Sequence, residues 1–215
     1  MSALKTTIRD FFERFSVFKK AQPIVSTESF QDFLGTRAAF VSQKKLYEYI
    51  KTRMGMKYPE AFQNDIFIES LNIAKWHVYA ACMSDLAVWM CAQVYKHTGD
   101  REETVSIAKY VFSKTLHDRF DREVVEKHEK EILEEFGNRL ALTDWNAKGA
   151  DDSAFTLSPK ELVRWAPIAP ELKKYDVEIV ENSIRFAWVA KRQEFLEVYN
   201  HEAFIADWRA QFGTS

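Results

Sequence analysis

Hydrophobic residues recur along most of this chain at three- and four-residue steps, the period of an amphipathic helix, and no stretch of useful length alternates as a half-buried strand would. From Ile66 to Tyr95 the pattern changes. Ile66, Phe67, Leu71, Ile73, Trp76, Val78, Met83, Leu86, Val88, Met90 and Val94 point in every direction at helical spacing, so a helix there is apolar nearly all round and has to be buried. It does not read as a membrane span, because Glu69, Lys75, His77 and Asp85 interrupt it. The expected fold is all-α, a bundle of about six to eight helices around one long buried central helix over about residues 64–98.

The flanking segments supply the surrounding helices. Residues 3–20 place Leu4, Ile8, Phe11, Phe12, Phe15 and Phe18 at helical steps, and Lys5, Arg9, Arg14, Lys19 and Lys20 outnumber Asp10 and Glu13. Gln22, Pro23 and the Ser26/Thr27 pair read as a break and a new cap, opening a helix from about Glu28 to Met54 that stops at Gly55, with Gly35 as a kink or subdivision. After the central helix, Thr98, Gly99 and Asp100 form a turn, and Val105, Ile107, Ala108, Val111, Phe112 and Leu116 mark the next helix. Asp121 to Leu142 is rich in Glu and Lys around a narrow stripe of Val124, Val125, Ile132, Leu133 and Phe136, the solvated face of a surface helix. Residues 146–157 read as a linker. Ser158, Pro159 and Glu161 then read as cap, first-turn proline and capping-box acid of a short helix ended by Pro167 and Pro170. A final long helix opens near Pro170 or Asp176. The expected organisation is a basic amphipathic segment 1–20, a helical core 26–145, the linker, and a C-terminal segment 158–212 packing on that core as one unit.

Composition narrows the classes. A chain of 215 residues can bury a sizeable core without staples, and six Gly with five Pro leave few turns between long helices. The net charge of -2 gives no electrostatic reason to expect nucleic acid. Cys82 and Cys91 lie nine positions apart, about 13 Å on one helix, too far for a disulfide. Reduced thiols and the lack of an apolar leader pattern favour a cytoplasmic protein without signal peptide or transmembrane helix.

Candidate chemistry is sparse. Ser70, His77, Ser84 and Cys91 are spaced by seven and share one row of the central helix, where Ala74, Ala80, Ala81 and Ala87 let another helix approach. A buried histidine there holds a ligand or is hydrogen-bonded to a neighbour, and Asp85, off the row, is expected to pair with an Arg or Lys of an adjacent helix. His117 and Asp118 form a His-Asp dipeptide similar to that of the HD-type metal phosphohydrolases, which implies a metal-dependent hydrolase. That family continues with Gly-Lys, where this chain has Arg119 and Phe120. No Glu-x-x-His pair marks a di-iron bundle, although Glu197 and His201 stand four apart and could share a face. Gly-x-Ser-x-Gly, P-loop, Gly-x-Gly-x-x-Gly, His-Glu-x-x-His and Cys-x-x-Cys patterns are all missing. His77, Asp85, His117 and Asp118 are therefore the only catalytic candidates, and no metal or cofactor is expected.

Two surfaces suit binding. The Phe-rich basic segment, with Phe11, Phe12, Phe15, Phe18, Lys19 and Lys20, fits core packing, a partner's groove or an anionic membrane surface. Trp165, Trp188, Phe195, Tyr199, Phe204 and Trp208 make an aromatic C-terminal part, suited to core or interface. Val88-Trp89-Met90-Cys91, followed by Lys96, Gly99 and a helix with Phe112, is similar to the helical core of the ubiquinol-cytochrome c reductase assembly chaperones. That resemblance implies a helical chaperone holding a membrane-protein subunit, with no residue role attached. The expected function is a non-enzymatic interaction or assembly protein that contacts another protein, or an anionic membrane, through residues 1–20. The alternative is a helical enzyme or cofactor- or metal-binding protein built around His77.

Overall fold

A computed structural model describes residues 22–119, 122–149 and 152–213, with backbone alone at 119 and 122–128. The fold is all-α, and among the described residues no helix is long and apolar enough to cross a membrane.

Local sequence explains most helix ends. In α1 (Thr27–Met54) Ser26 and Ser29 cap reciprocally, each side-chain oxygen accepting the other's backbone N–H at 3.2 and 3.0 Å. The helix runs unbroken through Gly35 and stops at Gly55, whose φ of 55° suits a residue without a Cβ. Gly35 does not subdivide the helix, and its carbonyl accepts the Tyr79 hydroxyl at 3.4 Å. After the short α2 (Tyr58–Ala61), Asn64 caps α3 (Asp65–Thr98), which ends at Gly99 with φ 64°. Asp100 Oδ1 accepts the Glu103 N–H at 2.9 Å and opens α4 (Arg101–Arg119). The remaining helices are α5 (Arg122–Leu142), α6 (Trp145–Lys148), α7 (Leu157–Trp165), α8 (Pro170–Lys173), α9 (Val177–Val198) and α10 (His201–Phe212).

Every residue of α3 from Val78 to Val94 is buried, against α1, α4 and α7. Its first turns differ: Ile66 and Ile73 are largely open to solvent, so the all-round apolar pattern there does not end in all-round burial. Around it, Phe30 meets Phe204 in a stack at 4.5 Å and Phe195 edge-on at 5.8 Å, while Phe155 stacks on Trp188 at 4.9 Å. Each such fully buried ring stabilises the fold by roughly 1.5–3 kcal/mol through apolar burial. One continuous hydrophobic cluster joins residues on both sides of segment 146–157, and that segment contributes fully buried Ala154 and Phe155 to it.

Polar ties fix the layers. Asp176, at the head of α9, accepts the Tyr49 hydroxyl at 3.1 Å and pairs with the Arg53 guanidinium, which holds its carboxyl below the usual range. Arg37 pairs with Glu194 and Lys45 with Ser183, so α1 and α9 lie antiparallel. At the other end Thr27 donates its N–H and hydroxyl to Asp207 of α10 at 2.7 and 2.8 Å.

Candidate functional site

The central chemistry of α3 begins with Asp85, which has no exposed surface. A lone carboxylate in that position would be costly, so its oxygens are fully engaged. Oδ1 accepts the backbone N–H groups of Thr156 and Leu157 at 3.3 and 3.1 Å and pairs with Arg139 of α5 at 2.8 Å; Oδ2 accepts the N–H of Ser158 at 2.8 Å. Asp85 thus caps α7 from a helix more than seventy residues away in sequence. This corrects the sequence expectation that Ser158 caps its own helix. The Ser158 hydroxyl instead accepts the Trp188 indole N–H at 3.0 Å. Arg139 completes its fork on Ser84 Oγ at 2.8 Å and on the Ala154 carbonyl. Burial and the Asp85 charge push the neighbouring Cys82 thiol well up, opposed by the Ser158 hydroxyl. Both cysteines are buried and free, so neither offers an exposed nucleophile.

Eight residues earlier on α3, His77 stacks flat on the Trp165 indole of α7, centroids 3.6 Å apart and planes 2° from parallel. The Trp165 N–H donates to Glu161 Oε2 at 2.6 Å, and the Arg164 guanidinium lies 5.1 Å from the Trp165 ring centre and 3.5 Å from Glu161. This stacked pair walls a cleft of about 500 Å³ between α3, α5 and α7. Ala80 and Ala81 form its base, and Ser84, Glu131, Ile132, Glu135 and Phe136 line it further. Of the four small residues expected to admit a close helix, Ala80 and Ala81 line the cleft, whereas Ala74 and Ala87 are buried in the core. Partial desolvation at the cleft wall, with Glu131 and Glu161 adding, raises the Glu135 carboxyl from its ordinary value against the opposing charge of Arg164, although the side chain remains exposed. Among the described residues Glu135 makes no ion pair or hydrogen bond, while the Arg139 charge is already neutralised by Asp85. The cleft is therefore electronegative with an aromatic wall, a combination that attracts organic cations.

The two regions are coupled by α7. Asp85 holds the N-terminus of that helix, and the same helix carries Glu161, Arg164 and Trp165 into the cleft.

The other sequence candidates do not join this site. His117 turns to the Ser113 carbonyl and to Glu129 of α5, each at 2.8 Å, whereas Asp118 turns to Lys114 at 2.9 Å and Gln31 of α1 at 2.7 Å. Adjacent residues on a helix point about 100° apart, so the dipeptide assembles no common ligand set. Among the described residues no group of three or more His, Cys, Asp or Glu could hold a metal ion. Glu197 and His201 share no helical face, because the chain leaves the helix at Tyr199 and Asn200 caps α10; His201 stacks on His97 at 3.7 Å. Of the C-terminal aromatics, Trp188, Phe195, Phe204 and Trp208 are core residues, and Trp165 lines the cleft. Phe11, Phe12, Phe15, Phe18, Lys19 and Lys20 lie outside the described residues.

Glu131 and Glu135 were read from sequence as solvated face. Both are exposed, as that reading expects, and no spacing in the sequence marks them as facing a cleft. No family model matches this chain, and neither a curated protein nor a solved structure matches it.

Proposed function

We propose that this protein is a non-enzymatic binding protein that takes a cationic group into the cleft between α3, α5 and α7. One observation carries the reading: Glu131, Glu135 and Glu161 converge on a cleft walled by the stacked His77–Trp165 pair, where Arg139 is committed to Asp85 and, among the described residues, Arg164 pairs only with Glu161. A cation bound there offsets the Glu131 and Glu161 charges that add to burial in raising the Glu135 carboxyl, and its organic frame packs against the stacked His77–Trp165 pair. The recognised chemistry is a positively charged nitrogen on an organic frame. A free amine and an arginine or lysine side chain of a partner protein share it, and the second source keeps the interaction and assembly role expected from the sequence.

Titration calorimetry with benzylamine, benzoate and a short peptide carrying one arginine separates these. Benzylamine or the peptide is expected to bind with a Kd of about 10 μM to 1 mM, and benzoate not at all. Tighter binding of the peptide assigns the site to a partner protein; tighter binding of the amine assigns it to a small molecule. Benzoate binding as well as benzylamine, or no heat from either cation, contradicts the reading.

A further inference from the structure

The 22-residue helix α9 carries two apolar faces where a surface helix needs one. Val180, Ile184, Trp188 and Phe195 are buried and face the bundle. Opposite them Ile179 and Phe186 are 71% and 78% exposed, and Tyr175, in the turn just before the helix, is 76% exposed. Steps of four, three and four place Tyr175, Ile179, Asn182 and Phe186 on one stripe, which Ala190 continues. The described residues leave that stripe open, and large apolar side chains held in water contribute little to the fold of a single chain.

The stripe is complementary to itself. Laid antiparallel against its own copy about a twofold axis between Asn182 and Ser183, α9 brings Ile179 level with Phe186 of the second copy, and Tyr175 level with Ala190 of the second copy, each twice by symmetry. Asn182 and Ser183 then meet at the axis, where an amide and a hydroxyl can bond across it. Charge selects the same register. Glu178 and Arg185 stand seven apart on one edge of the stripe, and the twofold sets Glu178 of each copy within a turn of Arg185 of the other. Exposed Glu178 makes no ion pair among the described residues, while Arg185, held by Glu181 at 2.9 Å and Asn182 at 3.2 Å, keeps 38% of its side chain exposed. A parallel pair would face this edge with the one that carries Ser183, Ala187 and Ala190, and would leave both charges unmatched.

We propose that α9 is the interface of a twofold, antiparallel homodimer, in which Ile179 and Phe186 of one copy cover Phe186 and Ile179 of the other beside two Glu178–Arg185 ion pairs. The surface is separate from the cation cleft, which no residue of α9 lines. One helix pair sits at the low end of specific interfaces, below about 1,200 Å² in total, so the dimer is expected to be weak, with a Kd of about 10–100 μM.

Sedimentation equilibrium of the full chain from about 5 μM to 1 mM is the test. The average mass is expected to rise from 25.2 kDa toward twice that value, and Phe186→Glu should hold the chain at the monomer mass. Glu178→Arg should weaken association about tenfold, and adding Arg185→Glu should restore it to within about threefold, because the antiparallel register puts these two side chains together. Asn182→Cys, next to the axis, should close an interchain disulfide under mild oxidation at the same concentrations, where Leu142→Cys, at an 89% exposed site, should not. Cys82 and Cys91 are buried and add little background. The bridge at 182 leaves Phe186 in place, so it reads the interface even where Phe186→Glu disturbs the fold. A monomer at the highest concentration, a dimer that Phe186→Glu leaves intact, a charge reversal without rescue, failure of the bridge to form, or association that needs anionic vesicles overturns the proposal.

Discussion

Asp85 and His77 stand about two turns apart on one helix, and their surroundings differ in kind. Asp85 itself has no exposed surface, each of its carboxylate oxygens has a partner, and both terminal nitrogens of Arg139 are bonded. Around His77 the aromatic ring is paired and Glu161 is bonded to Trp165 and Arg164, but Glu131 and Glu135 face an open cleft, where the Glu131 charge adds to the burial that raises the Glu135 carboxyl. A polar group whose bonds are all made within the fold positions secondary structure, whereas groups left facing solvent-accessible space keep free energy for a ligand. On this contrast the Asp85 cluster is architecture and the His77 cleft is the working surface, with α7 carrying the consequence of one into the other.

The sharpest way to break the contrast is to remove the buried charge. Asp85→Ala leaves Arg139 and the first N–H groups of α7 without their acceptor, and the protein is expected to lose about 3–5 kcal/mol in urea denaturation. A loss under about 1 kcal/mol would mean that the pair is not buried in solution. Next comes Ser158→Ala, which strips the Trp188 N–H of its acceptor in the core. It should cost about 1–3 kcal/mol by the same assay, with cation binding retained once the protein is folded.

Substitution in the cleft should give the opposite signature. Glu135→Gln is expected to leave stability within about 0.5 kcal/mol, because the side chain is exposed and makes no bond in the fold. Affinity for benzylamine should fall about tenfold, which corresponds to about 1.4 kcal/mol. A Glu135→Gln protein that unfolds early yet binds normally would reverse the assignment of roles.

The smallest effect is in pH. Because the Glu135 carboxyl titrates above its ordinary 4.5, the folded state holds a proton that the unfolded chain has released, so this group's contribution to stability declines as pH rises from 4.5 through the raised value. The wild-type protein should therefore lose slightly more stability than Glu135→Gln over that interval. Benzylamine affinity should rise over the same interval, since only the ionised carboxylate attracts the cation. A flat affinity profile would place the cation elsewhere.

Much of the framework is legible in the sequence because it rests on local rules. Ser26, Gly55, Gly99 and Asp100 end or open helices through bonds to residues within four positions, and helical periodicity is enough to assign the all-α class. The expected partner of Asp85 was an Arg or Lys of another helix, and Arg139 fills that place. The cap on α7 was misread because a carboxylate from distant sequence displaced the local Ser158 rule, and pairwise contacts of that range leave no periodic trace. The cleft was half visible: the His77–Ser84 row and Ala80 with Ala81 line it. Its acidic rim stayed hidden because a Glu facing a cleft and a Glu facing bulk water have the same spacing on a helix.

The most direct measurement is a structure of the protein at saturating benzylamine. The ammonium nitrogen is expected within about 4 Å of the Glu135 and Glu161 carboxylates, with the benzyl ring against the Trp165 indole and the Asp85–Arg139 pair unmoved. A ligand lodged elsewhere, or an empty cleft at saturation, would contradict the division of labour along α3.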